Sequence, residues 1–209
     1  MFLRHFFWAM KKQLLLFVMI LSLQQVDAQD ALVLQRILEA GHGIENVKSD
    51  MHHRRNKNGE VTEQNGVYYY SATDKYAALL DDGQYMVING DYANMDIGVF
   101  HDKVRMRRGP VRSLSQVFLY AFQGRCAELA EINNFSLDIM TSLEFHVVTM
   151  TTRKRFLIGF GLRQVVLKFG LDDLLVKEIS ITDYGGTTNI FTLRQPQYNV
   201  SIDPSVFDM

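Results

Sequence analysis

The sequence predicts a mostly β, α+β fold: one strongly curved antiparallel sheet, a half-open barrel, covered by a short helical lid. Three observations predict it. Strand-like runs between residues 47 and 104 are punctuated by Asn58-Gly59, Asn65-Gly66, Asp81-Asp82-Gly83 and Asn89-Gly90, the dipeptides of tight hairpins. Farther on, Phe135, Leu137 and Ile139 alternate with Ser136 and Asp138, Leu143, Phe145 and Val147 with Glu144 and His146, and Val165, Leu167 and Phe169 with Val166 and Lys168, so each strand has one oily face. Only two segments carry a convincing helical period. A sheet with a single apolar face must cover it, and two short helices over about ten strands do so by lying inside a curved sheet, a shape that leaves a greasy cavity.

Taken in order, residues 1–28 read as a signal peptide. Arg4, Lys11 and Lys12 precede the apolar run 14–23, and Val26-Asp27-Ala28 supplies the small-residue exit. That run is short of the roughly 20 apolar residues of a membrane span, although Phe6, Phe7 and Trp8 leave an uncleaved anchor as the alternative. Cleavage near Ala28 leaves one domain, residues 29–209, in the periplasm. Gln29 rather than Cys follows the cut, so the chain has no acylation site of its own there.

A first amphipathic helix follows, with Asp30 as its N-cap, Leu34, Ile37 and Leu38 on one face, and Gly41 and Gly43 at its end. After the meander, Pro110 opens a second helix whose apolar positions Leu114, Val117, Phe118, Ala121 and Phe122 share a face until Gly124 stops it. The alternating strands then run to a hairpin turned by Asp183-Tyr184-Gly185-Gly186, whose glycines supply the positive φ angles.

Composition narrows the classes of function. Residues 29–209 hold 19 Lys+Arg against 22 Asp+Glu, a formal charge of −3, which excludes bulk nucleic-acid binding. Cys126 is the single cysteine, so no intrachain disulfide forms and stability rests on the core. His52 and His53 are adjacent on a strand and point to opposite faces, which argues against a shared metal. Cys126 with His101 or His146 lacks any nucleophile signature. Neither catalytic residues, cofactor nor metal is expected.

The tail from residue 175 onward resembles that of the periplasmic outer-membrane lipoprotein carriers, the LolA family: a strand, the acidic-x-x-Gly turn at Asp183, a strand with Thr and Phe, Asn199-Val200-Ser201-Ile202, and Phe207. The resemblance extends over the mature chain. A Leu-bearing helix at residues 32–38, the Gly66-Val67-Tyr68-Tyr69-Tyr70 strand, Asp82-Gly83 with the strand to Asn89-Gly90, the helix 114–124, the strands before Thr151-Thr152 and the 156–169 run come in the family's order. The family's Arg-Pro pair, which fastens the lid, has no counterpart in residues 71–76, where Lys75 lacks arginine's planar fork.

The resemblance implies a monomeric, non-catalytic carrier that ferries acylated lipoproteins or a related lipid cargo from an inner-membrane release complex to an outer-membrane acceptor. Its cavity would be lined by Leu114, Val117, Phe118, Phe122, Leu137, Ile139, Leu143, Phe145, Val147, Val165, Leu167 and Phe169. Each buried methylene is worth about 0.8 kcal/mol, so an acyl chain of roughly 15 carries about 12 kcal/mol of reluctance to cross water, and a carrier must cover it. Lys103, Arg105, Arg107 and Arg108 form a basic stretch, read either as a solvated face or, more sharply, as a docking site for an anionic membrane or partner. The alternatives are an envelope β-domain with a filled core, in which the same residues are ordinary packing, and a secreted hydrolase.

Overall fold

The computed structural model describes residues 29–73, 75–97, 100–105, 110–152 and 161–208. The expected signal peptide and Arg107 and Arg108 lie outside them. The chain divides into two compact units, residues 1–36 and 37–209; of the first, residues 29–36 are described and are helical. Helix α1, residues 29–42, passes from the first unit into the second.

The second unit is built on one antiparallel sheet of eleven strands, and the expected fold class stands. The strands are β1 (Asn46–Lys57), β2 (Glu60–Ser71), β3 (Lys75–Leu80), β4 (Tyr85–Asn89), β5 (Tyr92–Ile97), β6 (Phe100–Arg105), β7 (Phe135–Thr141), β8 (Phe145–Thr152), β9 (Leu162–Gly170), β10 (Val176–Asp183) and β11 (Thr188–Tyr198). Helices α2 (Pro110–Phe122) and α3 (Cys126–Ile132) separate β6 from β7. Their order across the sheet is β6-β5-β4-β3-β2-β1-β11-β10-β9-β8-β7. Two meanders are thus joined by the β1–β11 pairing, and the sheet stays open, with β6 and β7 at its edges.

The turn chemistry explains most of this order. Asn58 (φ 54) and Gly59 (φ 87) both take positive φ between the paired Lys57 and Glu60, as a two-residue hairpin of that twist demands. In the last hairpin only Gly186 takes positive φ (81); Gly185 does not, and Asp183 does the remaining work by accepting the Thr187 N–H on Oδ1 at 2.8 Å.

One expected turn is absent. Asn65-Gly66 lies within β2, where Gly66 faces Met51 on β1 and Leu80 on β3. A Cβ on Gly66 would sit 2.2 Å from the Leu79 carbonyl oxygen. This glycine therefore permits a close backbone approach inside the sheet rather than a reversal.

The sheet is curved, and α2 shows it. Strands β3 and β11 are three places apart, roughly 14 Å in a flat sheet at about 4.8 Å per strand. Yet one ring of α2, Phe118, lies 4.7 Å from Tyr76 on β3 and 5.0 Å from Phe191 on β11, and α2 also packs on β9 and β10. The sheet must wrap around it. Its buried concave side includes Met51, Tyr68, Tyr70, Tyr76, Ile88, Met150, Leu167 and Ile179.

At the junction of the two meanders the β1–β11 register slips between Lys48 and Asp50. The buried Ser49 hydroxyl donates there to the Arg194 carbonyl at 2.9 Å, satisfying a group the bulge leaves unpaired.

The two helical ends cross at glycines. Gly124 (φ 66) brings α2 against α1 so closely that a Cβ would meet the Ile37 carbonyl oxygen at 2.3 Å, and one on Gly41 would meet the Gln123 carbonyl carbon at 2.5 Å. The sequence takes Gly124 as a stop, and it is one, but the chain resumes as α3, which the sequence reading omits. Cys126, Leu129 and Ala130 are its buried face, an i, i+3, i+4 set too short to register as a period.

The convex side carries a smaller core. Ala77 and Val87 are covered by Phe207, with Tyr69, Leu79, Tyr85, Ile202 and Val206 around them. The C-terminal segment is clamped there by Asn199. Its Oδ1 accepts the Glu45 N–H at 2.8 Å and its Nδ2 donates to the Gly43 carbonyl at 3.0 Å.

Candidate functional site

Two apolar walls meet beneath α2. The first is aromatic. Tyr68 and Tyr70 alternate on β2, and Tyr76 pairs opposite Tyr70 on β3, so all three project to the concave face. Phe122 of α2 stacks on both Tyr68 and Tyr70 at 4.9 Å. Phe118, one helical turn earlier, stacks on Tyr76 at 4.7 Å and meets Phe191 of β11 edge-on at 5.0 Å. Offset and edge contacts of this kind are favourable beyond the area they bury.

The second wall is aliphatic. Register places Leu137 against Met150, Ile139 against Val148, Val148 against Leu167 and Met150 against Val165, and Ile179 and Ile181 of β10 continue the row.

Of the residues expected to line a cavity, Val117, Phe118, Phe122, Val165, Leu167 and Phe169 are buried here. Leu137 and Ile139 share the same face but remain partly exposed. Leu114 lies in α2, with its side chain outside the description.

Three residues are placed otherwise. Phe145 pairs with Gly170 and Val147 with Lys168, while His146, Val148 and Met150 point inward. Phe145 and Val147 therefore lie on the convex face, where Lys168 rests 5.7 Å from the Phe145 ring and bridges Glu178 at 2.8 Å. Leu143 sits at the β7–β8 turn, 98% exposed.

Ser142 sets this register. Its N–H donates to the Phe145 carbonyl (2.8 Å) and its Oγ accepts the Phe145 N–H (3.0 Å), closing a two-residue loop, and a one-residue change of register exchanges the faces. His146, which the alternation takes for a polar exterior residue, is buried and hydrogen-bonded to Thr141 Oγ1 at 2.9 Å.

Lys103 and Arg105 fall on the edge strand β6, two positions apart and opposite Asn94 and Tyr92.

The candidates for chemistry find structural places. His52 and His53 take different partners, Asn65 Oδ1 and Asn189 Oδ1, each at 3.1 Å, and no cluster of three metal-ligating side chains occurs among the described residues. Burial pushes the Cys126 thiol up to about 12, so it is protonated at neutral pH and a poor nucleophile.

His53 lies stacked on Phe191 at 4.5 Å, at the polar margin of the aromatic wall. Burial lowers its pKa below 6.5, outweighing the hydrogen bonds to Asn189 and Gln64 that raise it. The unfolded chain thus takes up this proton at higher pH than the folded one, and stability falls as pH drops through about 6.5. Urea melts of the wild type should show this loss between pH 7.5 and 5.5, and His53→Gln should flatten it; an equal slope in the variant would assign the loss elsewhere.

No family model matches the sequence, and no curated protein does. Solved structures similar in fold include a DUF1329 family protein from Desulfovibrio piger, 11% identical with TM-score 0.45 over 87% of this chain and 96% of that one. A domain assigned to outer membrane lipoprotein sorting in Vibrio parahaemolyticus is 10% identical with TM-score 0.45 over 84% and 94%. A LolA superfamily protein from Nitrosomonas europaea is 7% identical with TM-score 0.41 over 84% of this chain and 95% of that one.

Proposed function

We propose that this chain is a non-catalytic periplasmic carrier that binds acyl chains of lipoproteins or a related lipid between the concave sheet and α2, and moves them from the inner to the outer membrane. One observation carries the reading. Leu137 and Ile139 face inward beside the fully buried Val148 and Met150, yet keep part of their surface exposed. With α3 packed on β7, the described side chains cover the β7 end of this apolar face only in part, and an acyl chain has the chemistry to complete the cover. The sequence resemblance supplies the transport direction and the membrane partners.

A fluorescent fatty-acyl probe titrated into the purified protein tests this. We expect saturable binding, weakened at least tenfold by Ile139→Asp, because a carboxylate on that margin would have to be desolvated by the chain. Phe145→Asp, on the convex face, should leave binding unchanged. Failure of the wild type to bind the probe, or equal losses in the two variants, would reject the carrier.

The second reading is an envelope β-domain with a filled core. The near-complete burial of Val117, Phe118 and Leu167 favours it, and an organic extract of the purified protein without any lipid would be its result.

A further inference from the structure

The aromatic wall carries a polar feature that packing alone does not explain. Tyr68 is 1% exposed and Tyr76 fully buried, and neither hydroxyl has a hydrogen-bond partner among the described residues. Their rings are 4.8 Å apart at the centroids, under Phe118 and Phe122 of α2. Burial first, and then Tyr76 and Tyr70, push the Tyr68 phenol well above its ordinary range, and burial pushes the Tyr76 phenol up as well. Both groups therefore remain O–H donors at any physiological pH.

A buried hydroxyl without a partner is unfavourable by more than the hydrogen bond it lacks, and phenylalanine would fill the same space without that penalty. Two such hydroxyls, on edge-on rings 4.8 Å apart beneath a lid helix, are the kind of polar group that an apolar site uses to orient a ligand.

We propose that Tyr68 and Tyr76 bind the uncharged carbonyl oxygen of an acyl ester, fixing the polar end of the lipid beneath α2 while its chain runs along the aliphatic wall. The inference rests on the carrier reading and names its ligand class. An ester fits better than a free fatty acid for an electrostatic reason. The concave-face neighbours given by the register, Val47, Ser49, Ala78 and Ile88, bear no charge, and a carboxylate placed among them would be desolvated without a counter-ion. A phenol donor needs only an acceptor lone pair, which the ester carbonyl supplies.

The test is displacement of the fluorescent acyl probe by methyl palmitate, heptadecane and palmitate, each delivered from cyclodextrin, on the wild type and on the double variant Tyr68→Phe/Tyr76→Phe. The wild type should bind methyl palmitate in preference to heptadecane and palmitate. The double variant should lose about tenfold in affinity for methyl palmitate and nothing for heptadecane. Its melting temperature should hold or rise, since only unpaired hydroxyls are removed.

Equal losses for the ester and the alkane, no loss for either, or a markedly lower melting temperature would overturn the assignment. If heptadecane binds and the ester is not preferred, the carrier stands without this site. A wild type that binds none of the three overturns both.

Discussion

Replacing Gly124 with alanine is expected to destabilise the protein by about 3 kcal/mol or more. Two penalties coincide at this residue. Its φ of 66 lies in the left-handed region, where a Cβ brings roughly 1–2 kcal/mol of strain. That Cβ would also meet the Ile37 carbonyl oxygen at 2.3 Å, with the Leu38 Cα at 2.9 Å, and these are backbone atoms that cannot turn aside as a side chain can. Overpacking of this kind adds about 1–3 kcal/mol. Gly59 is the control. It takes φ 87 with open space around it, so Gly59→Ala should show the strain alone, about 1 kcal/mol. Urea melts of both variants measure the difference, and a Gly124→Ala loss no greater than that of Gly59→Ala would mean that the helices do not cross at these glycines.

The second large effect is expected at Phe118. Truncation to alanine removes a ring that is 1% exposed and touches Tyr76 and Phe191, on strands from opposite halves of the sheet. The loss should be about 3–5 kcal/mol. The sequence argument, with Phe118 facing a partly empty cavity, expects less; the ring contacts reverse that expectation. Phe145→Ala, by contrast, trims a half-buried side chain on the convex face and should change stability by about 1 kcal/mol. Thermal and urea unfolding of the pair would check the register of β8 as well as the packing, because an inward Phe145 would give losses of similar size.

The turns were the most legible part of this chain. Asn58-Gly59, Gly83, Gly90 and Gly186 all take the positive φ that the residue type suggests, and with them the meander and the final hairpin follow. Gly66 shows the limit of that reasoning. The same Asn-Gly dipeptide serves a close strand approach when the residues across from it need the space, and only the neighbouring strand reveals which. The parity of β8 was ambiguous for a related reason. Val147 and Val148 are adjacent, so either face could be the oily one, and the decision fell to Ser142, whose backbone and hydroxyl contacts fix the loop.

In the candidate site, the α2 residues and the β9 residues were readable from period and alternation. Tyr68, Tyr70 and Tyr76 are not legible as site residues in the sequence, where a tyrosine on a strand suits a surface or a margin as well as a core. The available clue was Tyr68 and Tyr70 at a spacing of two, opposite a third tyrosine across a short turn.

The pairing of β1 with β11 has a consequence in time. The end of β1 and the start of β11, Lys57 and Thr188, are made some seconds apart: at 5–20 residues per second the ribosome needs roughly 7 to 26 s to pass from one to the other. Until β11 arrives, β1 can pair only with β2 and keeps an unsatisfied row of amide and carbonyl groups on its other side, and the half of the sheet built around Tyr68 and Tyr76 cannot join the half built around Leu167 and Ile179. Long-range pairings of this sort close late and slowly. A chain that has not yet placed β11 therefore carries an adhesive strand edge, and that waiting period, more than the finished fold, is when it is most exposed to mispairing.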